Sequence, residues 1–552
     1  MSVDKNTPSI KSISITATNE KADKPALLKN FKWLSLFGIA FSLTNSWLGV
    51  SSSLVVGLSS GGPVLIVYGL IVAVFFAFMC GYSLSEFASV LPSSSGSSFW
   101  VLKLMEDADE NETEGSQDQI YSDDKDQVLK LYNENTVQSV SSVSQARVSL
   151  TVGLINYFGS IFTTSSICSS LGYSVLGAYS LYHVDYEPKN WHVFVIYEVF
   201  NIIMCVMNSW GKILPFISQA GLYCSLLTYC LTFIITLACR SSQSQPWPAA
   251  ESIFKDFNNT TGWSSSGISF IVGLVNPLWA FAGIDSATHM VDEVGHVAAL
   301  SLVPKAIMAT IFVGFITSFS YAIAMFFCIT DSDRVVGSIL PIIEIYYQAT
   351  ENRALAVFLQ SCCILTGTLC GVASGTWQSR ILWSIGRDYS VIIEKFSDKE
   401  EPSLVQRLFN LFAFIHPCLR VPIWSMLISH FFVAAIGCVI IGSTTAFNAI
   451  ISACICLLLL SYAIPTLILL IKGKRRFYQK VSNQLDLPFT RRLRCSILSY
   501  IPNLLTICWT IFSFIFFSFP YELPVSSSNM NYVSAAYGGV ALVVCSVVIW
   551  AF

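Results

Sequence analysis

Asp285 and His289 stand four residues apart in LWAFAGIDSATHM, residues 278–290, a stretch otherwise apolar or small. At helical spacing the two share one face. An aspartate at the centre of a membrane helix costs about 2.5 to 3.5 kcal/mol on insertion scales, so it is expected to face a cavity or a partner. Its carboxylate can attract the cationic head of a substrate, or alternate between a proton and the substrate. The alternative is a structural acid hydrogen-bonded to serines or to His289. His289 itself reads either as a second polar ligand or as a packed, satisfied side chain.

Trp47, Trp279 and Phe281 flank two polar or glycine-rich interruptions, TNSWLGVSSS from Thr44 and FAGIDSATH, which contains Gly283. A quaternary ammonium has no N–H to donate, so its recognition relies on aromatic faces, each worth about 0.5 to 2 kcal/mol, with an anion nearby. An aromatic box beside Asp285 would suit choline; ordinary packing is the alternative for each ring. A linear amine such as GABA would also need its carboxylate bound, for which open helix N-termini carry partial positive charge. Thr44, Asn45 and Ser46 could add donors to that cradle or simply shape the break. Asn156, Tyr157 and Tyr462 are candidate wall or gate residues.

The elements that hold these residues are membrane helices. The 552 residues are 53% hydrophobic and only 12% charged, against roughly 25% charged in a soluble protein. Twelve apolar segments are long enough to span, each needing about 20 residues. They run 33–58, 62–88, 149–181, 192–209, 219–239, 267–291, 304–329, 355–378, 422–442, 445–471, 498–519 and 531–552. Cytoplasmic loops are enriched in Lys and Arg. With a cytoplasmic N-terminus, 26 of the 31 basic residues fall inside and only Lys189, Arg240, Lys255, Arg334 and Arg353 outside. Both termini are therefore expected in the cytoplasm.

Residues 1–30 are polar and lack the apolar core of a secretory signal, so they read as an attached, disordered tail. Between the second and third segments lies a polar insert, about 105–147, with ten acidic residues and one lysine between Glu106 and Asp126. That composition predicts a disordered cytoplasmic linker, with regulation or trafficking as the alternative. The 17 cysteines sit mostly in apolar segments and show no metal-ligand spacing, so they read as small packing residues. Sequons at Asn258 and Asn259 fall on an outer loop and are usable there for glycosylation; a third at Asn111 lies inside and should be silent.

The first and sixth segments carry their interruptions in corresponding positions. If segments one to five and six to ten form two halves, an odd number per half inverts the second. Discontinuous helices then meet at the midplane, where their freed backbone groups form a binding site.

FGIAFSLTNSWLGVSSSLVVGLSSGGPVLIVYGLIV at the start resembles the fungal choline, GABA and polyamine permeases of the amino acid, polyamine and organocation superfamily. So do NSWGKILPFIS, TWQSRILWSIGRD, STTAFNAI, LLLLSYAIP and LPVSSSNMNY. The likeness covers about residues 31–552, apart from the acidic insert. It implies an all-α fold of the leucine-transporter type, a five-plus-five inverted repeat with two more helices, and secondary active transport of a small amine. It also implies that Glu86 and Glu293 act as cytoplasmic-side gate or loop anchors; Arg380, Arg387 and Asp388 fit the same role, with a basic collar that follows the positive-inside rule as the alternative.

Three departures stand out. The first break reads Asn45, Ser46, Trp47, Leu48, Gly49 instead of a glycine-rich carboxylate cradle, which disfavours a plain α-amino acid. After Glu293 the stretch VGHVAALSLV is longer than the family pattern, and after Asp388 comes YSVIIEKFSDKEEPSLVQRL in place of a short proline-containing turn. The leading expectation is import of choline or a related organic cation at the plasma membrane, with GABA, another amino acid or a polyamine as alternatives. A non-transporting nutrient sensor is the reading from another class. No nucleophile and base pairing, metal motif or phosphate loop points to an enzyme, and nothing points to a cofactor or a nucleic-acid partner. The expected partners are a small amine and the lipid bilayer, and coupling to protons stays open beside facilitated diffusion.

Overall fold

The computed structural model describes residues 27–106, 125–183, 185–397, 401–443, 445–485, 497–526 and 529–552. Among them all regular structure is helical, and each apolar segment read from the sequence falls on a helix, intact or broken. The first is α1 (Trp33–Thr44) and α2 (Ser46–Ser52), interrupted at Asn45, whose φ of 35° and ψ of 54° are left-handed. Asparagine enters that region more readily than most residues because its short amide bonds locally. α3 (Leu54–Ala88) completes the first segment and changes direction at Gly61 and Gly62. Pro63 then opens the second, at the end of a helix where a missing N–H forfeits nothing.

α4 (Ser97–Met105) and α5 (Lys125–Gln138) precede α6 (Val143–Ser180), α7 (Asn190–Met207) and α8 (Leu214–Ser242). The segment at 267–291 is the most interrupted. It comprises α9 (Ser266–Gly273), α10 (Val275–Trp279), turns over 280–285, a 3-10 piece Ser286–Met290 and α11 (Val291–Val294). α12 (His296–Phe327), α13 (Arg353–Phe396), α14 (Ile423–Gly442) and α15 (Ala446–Lys472) follow. The last are α16 (Lys474–Gln484), α17 (Tyr500–Phe516) and α18 (Val533–Ala551).

Nine of the described helices are long and apolar enough to cross a membrane. α6 is not among them because Thr163, Thr164, Ser165, Ser166, Ser169 and Ser170 run through its middle, yet all six are buried. Thr163, Thr164, Ser165 and Ser169 each donate to the carbonyl four residues back, so their hydroxyls are satisfied without water. α6 is thereby a polar post at the centre of the bundle. Large apolar side chains exposed on α7, α8 and α18, such as Ile202, Leu227 and Leu542, form the faces a bilayer covers.

Several helices overrun the apolar segments. α13 has 44 residues, about 66 Å at 1.5 Å per residue, where about 30 Å of hydrocarbon suffices. Hydropathy registers only the lipid-covered part, and the extension carries Arg380 and Arg387.

The insert departs from the disordered reading. Residues 107–124, with most of its acidic charge, and residues 1–26 of the tail lie outside the described residues, but 125–138 form α5. Tertiary contacts account for this helix. Asp126 accepts from Lys29 Nζ at 2.6 Å and from the Val297 N–H at 3.0 Å. Asn133 donates to the Pro92 carbonyl at 2.8 Å, and Lys395 donates to the Gln138 and Val140 carbonyls. Composition measures solubility of the free chain and not such anchors. Partial burial opposes the charge on Asp126, but Lys29 and the Val297 N–H hold its carboxyl below the ordinary value. The anchor is thus complete at neutral pH and loosens only as pH falls below about 4. Asp126→Ala removes both bonds. Limited proteolysis of the purified protein is expected to cut within 125–138 several times faster in this variant than in the wild type; equal rates would show that Asp126 does not seat the helix.

Candidate functional site

The two breaks touch. Gly283, at φ 77°, stands against Leu43 and Trp377, and a Cβ there would overlap the Leu43 side chain. Gly49 lies against Ala280 in the same way. Glycine at 283 therefore answers both a left-handed backbone and a close crossing.

Below this crossing Asp285 is 1% exposed and fully engaged. Its Oδ1 accepts from the Tyr462 hydroxyl at 2.7 Å, and its Oδ2 accepts from Asn156 Nδ2 at 2.9 Å. His289 Nε2 lies 3.3 Å from the same Oδ2. His289 Nδ1 lies 2.7 Å from the Ser94 carbonyl oxygen. Asn156 Nδ2 also donates to Ser461 at 2.9 Å, and the Thr288 hydroxyl donates to the Asp285 carbonyl at 2.6 Å. α6, α15 and the sixth-segment break thus converge on one carboxylate, and the 93–96 loop reaches it through His289.

Other candidates point elsewhere. Tyr157 turns to α14, where its hydroxyl meets Ser429 at 3.0 Å. Trp47 packs on Tyr229 and Tyr321, and its Nε1 donates to Ser225 at 2.9 Å. Ser225 in turn donates to Asn45 Oδ1 at 2.8 Å. Trp279 meets Phe447 edge-on and donates to Ser166 at 3.0 Å. Phe281 lines a different cavity with Tyr462 and Trp509. The three aromatics therefore do not close one box around Asp285. Thr44 donates back to Ala40 and Phe41 carbonyls. Asn45 Nδ2 and Ser46 Oγ are buried and have no hydrogen-bond partner among the described residues.

A cavity lies beside the crossing, lined by Asn45, Leu48, Leu171, Ser170, Ser174 and Trp279 among others. Its volume of about 40 Å³ holds a few waters at roughly 10–15 Å³ each. Ser170 and Ser174, one turn apart on α6, line it, and their hydroxyls make no hydrogen bond among the described residues.

The residues expected to anchor a gate cluster at one end of the bundle. Arg380 Nε donates to Glu293 Oε1 at 2.6 Å, with both side chains buried. Arg387 bridges Asp292 and Asp388 at 2.8 Å each, and Ser95 donates to Asp388. Burial opposes charge on Asp292, but Arg387 and His296 hold its carboxyl below the ordinary value. Under these pairs lies a cavity of about 520 Å³ lined by Ser94, Asp292, His296 and Arg387, with Lys130 and Glu134 of α5 on its other wall. Glu86 pairs separately with buried Lys474 at 2.8 Å, tying the end of α3 to α16.

Sequence reasoning missed Ser94, Ser461 and Ser225, which reach the site only through tertiary contacts from segments far apart in the chain. In the loop before α9 Asn258 is exposed. Asn259 donates to the Trp263 carbonyl and accepts from Thr261 and Ser269. That leaves Asn258 the accessible sequon.

Residues 31–542 match the family model described as amino acid permease. The 7-keto 8-aminopelargonic acid transporter of Saccharomyces cerevisiae is 50% identical over 525 residues, covering 94% of this chain and 92% of that one. The choline transporter of the same yeast is 37% identical over 515 residues, covering 93% and 80%. With the broken helices, the buried carboxylate and these similarities together, the chain belongs to the amino acid permease family and is a multi-pass membrane protein.

Proposed function

We propose that the protein imports a small amine-bearing acid by alternating access at the plasma membrane, both termini cytoplasmic, and that its substrate is 7-keto 8-aminopelargonic acid or a close analogue. The compound, by its name, is a nine-carbon acid with a ketone and an amine at the end opposite the carboxylate. The observation that carries the reading is the lining of the cavity at the crossing: Ser170, Ser174 and the buried amide of Asn45 together with aliphatic Leu48 and Leu171. Such a wall suits an aliphatic chain with polar ends. A quaternary ammonium calls for a cage of aromatic faces, and Trp47, Trp279 and Phe281 diverge. The similarity at 50% identity favours the same substrate. Asp285 supplies the negative field for the amine, and the helices must part to admit it.

Choline is the second reading, supported by the relative at 37% identity. Uptake of labelled 7-keto 8-aminopelargonic acid, choline, GABA and spermidine in yeast lacking its own permeases separates them. Uptake of the first, unaffected by excess choline, is the expected result. Choline uptake alone would replace the proposal, and no uptake by protein present at the surface would favour a sensor.

The double variant Ser170→Ala with Ser174→Ala is expected to raise the half-saturation concentration about fivefold per hydroxyl, each bond being worth about 1 kcal/mol. An unchanged value in concentration-dependent uptake would remove α6 from the binding surface.

A further inference from the structure

We infer that Asp285 and His289 together hold one exchangeable proton and form a proton-binding site that discharges past Ser94 into the cavity above α5. The inference rests on the transport reading and adds the ion that moves with the substrate.

Hydrogen accounting requires it. The Ser94 carbonyl oxygen can only accept, so the contact at 2.7 Å fixes a hydrogen on His289 Nδ1. Nε2 then faces Asp285 Oδ2 at 3.3 Å. A neutral ring with hydrogen on Nδ1 presents a lone pair there, and a carboxylate presents another. One proton must sit between them, either as imidazolium with carboxylate or as imidazole with carboxylic acid. Both side chains are buried, at 1% and 3% exposure. No lysine or arginine among the described residues comes within ion-pair distance of Asp285, so His289 is its one cationic partner. Removing the proton changes the net charge of the pair from zero to minus one beside the crossing of the two breaks.

The surroundings give the proton a direction. Gly96, at φ 51°, lies against the imidazole, and a Cβ there would stand 2.8 Å from His289 Cε1. The 93–96 loop is therefore moulded to the ring. Ser94 also accepts the Asp292 N–H through its hydroxyl at 3.1 Å and lines the inner cavity. The other titratable groups around the pair are Tyr462 on α15, with Cys80 of α3 and Cys454 near it, and Asp292, His296, Arg387 and Asp388 around the cavity. Tyr462 donates to Asp285. Discharge is one proton passing from Nε2 or Oδ2 to water of the inner cavity; reloading takes one from the outer side when the crossing opens.

The test uses full-length protein in proteoliposomes. With 7-keto 8-aminopelargonic acid as probe, an inward gradient of about one pH unit is worth about tenfold accumulation per coupled proton. His289→Gln is expected to abolish that gain, while exchange of substrate for substrate, which moves no net proton, persists at a reduced rate. Full gradient-driven accumulation by H289Q would overturn the inference. Infrared pH titration of the same preparation needs no substrate, so it decides the point even if the substrate proposal fails. The Asp285 carboxyl and imidazole bands should change over the same pH interval, move together in Gly96→Ala, and lose their coupling in H289Q. A carboxyl band indifferent to H289Q would also overturn it.

Discussion

Replacing Asp285 with asparagine is expected to reduce uptake by about 100-fold or more while the protein still reaches the cell surface. The carboxylate accepts from Tyr462 on one oxygen and from Asn156 on the other. Asparagine keeps the shape but turns one acceptor into a donor, so one of those groups meets an N–H. Leaving a buried polar group unpaired costs about 1 to 3 kcal/mol, and the proposed counter-charge for amine and proton disappears as well. Surface labelling and uptake measured on the same cells check the result. Normal uptake by Asp285→Asn would take the aspartate out of the mechanism and leave it a structural acid. Asp285→Glu keeps the charge but displaces it by one methylene, and should fall between the two.

The second large effect belongs to the buried pair of Arg380 and Glu293. Breaking such a pair by removing one partner costs about 3 to 5 kcal/mol, because the other charge stays buried alone, whereas an apolar replacement of both is often near neutral. Arg380→Ala should therefore lower the thermal midpoint sharply and cut the yield of monodisperse protein. Arg380→Met with Glu293→Leu should recover most of the stability but not the transport rate, if the pair also closes the inner side. A double-mutant cycle on thermal midpoints measures the coupling. Additive effects of the two single changes would show that the 2.6 Å contact contributes little, and wild-type uptake by the stable double variant would remove the pair from gating.

Much of this was legible beforehand, for physical reasons that differ by residue. Asp285 announces itself because charge is costly in an apolar segment, and His289 follows at one turn's spacing, which survives although the local helix is 3-10. Asn45 and Gly283 mark the breaks through their backbone preferences. The direction of the aromatics was not legible. Each interruption rotates the chain by an angle that spacing does not encode, so Trp47 turns to α8 and α12 while Trp279 turns to α6. Adjacent residues of one helix diverge as well: Asn156 reaches Asp285, and Tyr157 faces α14. The helix at 125–138 was hidden because its anchors belong to other parts of the chain.

Those anchors have a consequence for how the protein is made. Asp126 bonds to Val297, 171 residues later, and Gln138 to Lys395, 257 residues later. At about 5 to 20 residues per second the ribosome supplies these partners roughly 10 to 50 s after the insert has emerged. Throughout that interval α5 has early contacts such as Lys29, Pro92 and Lys103 but lacks the Val297 and Lys395 anchors, so it takes its final seat after α12 and α13 have entered the membrane. Protection of residues 125–138 on a nascent chain would therefore time the completion of the sixth to eighth segments.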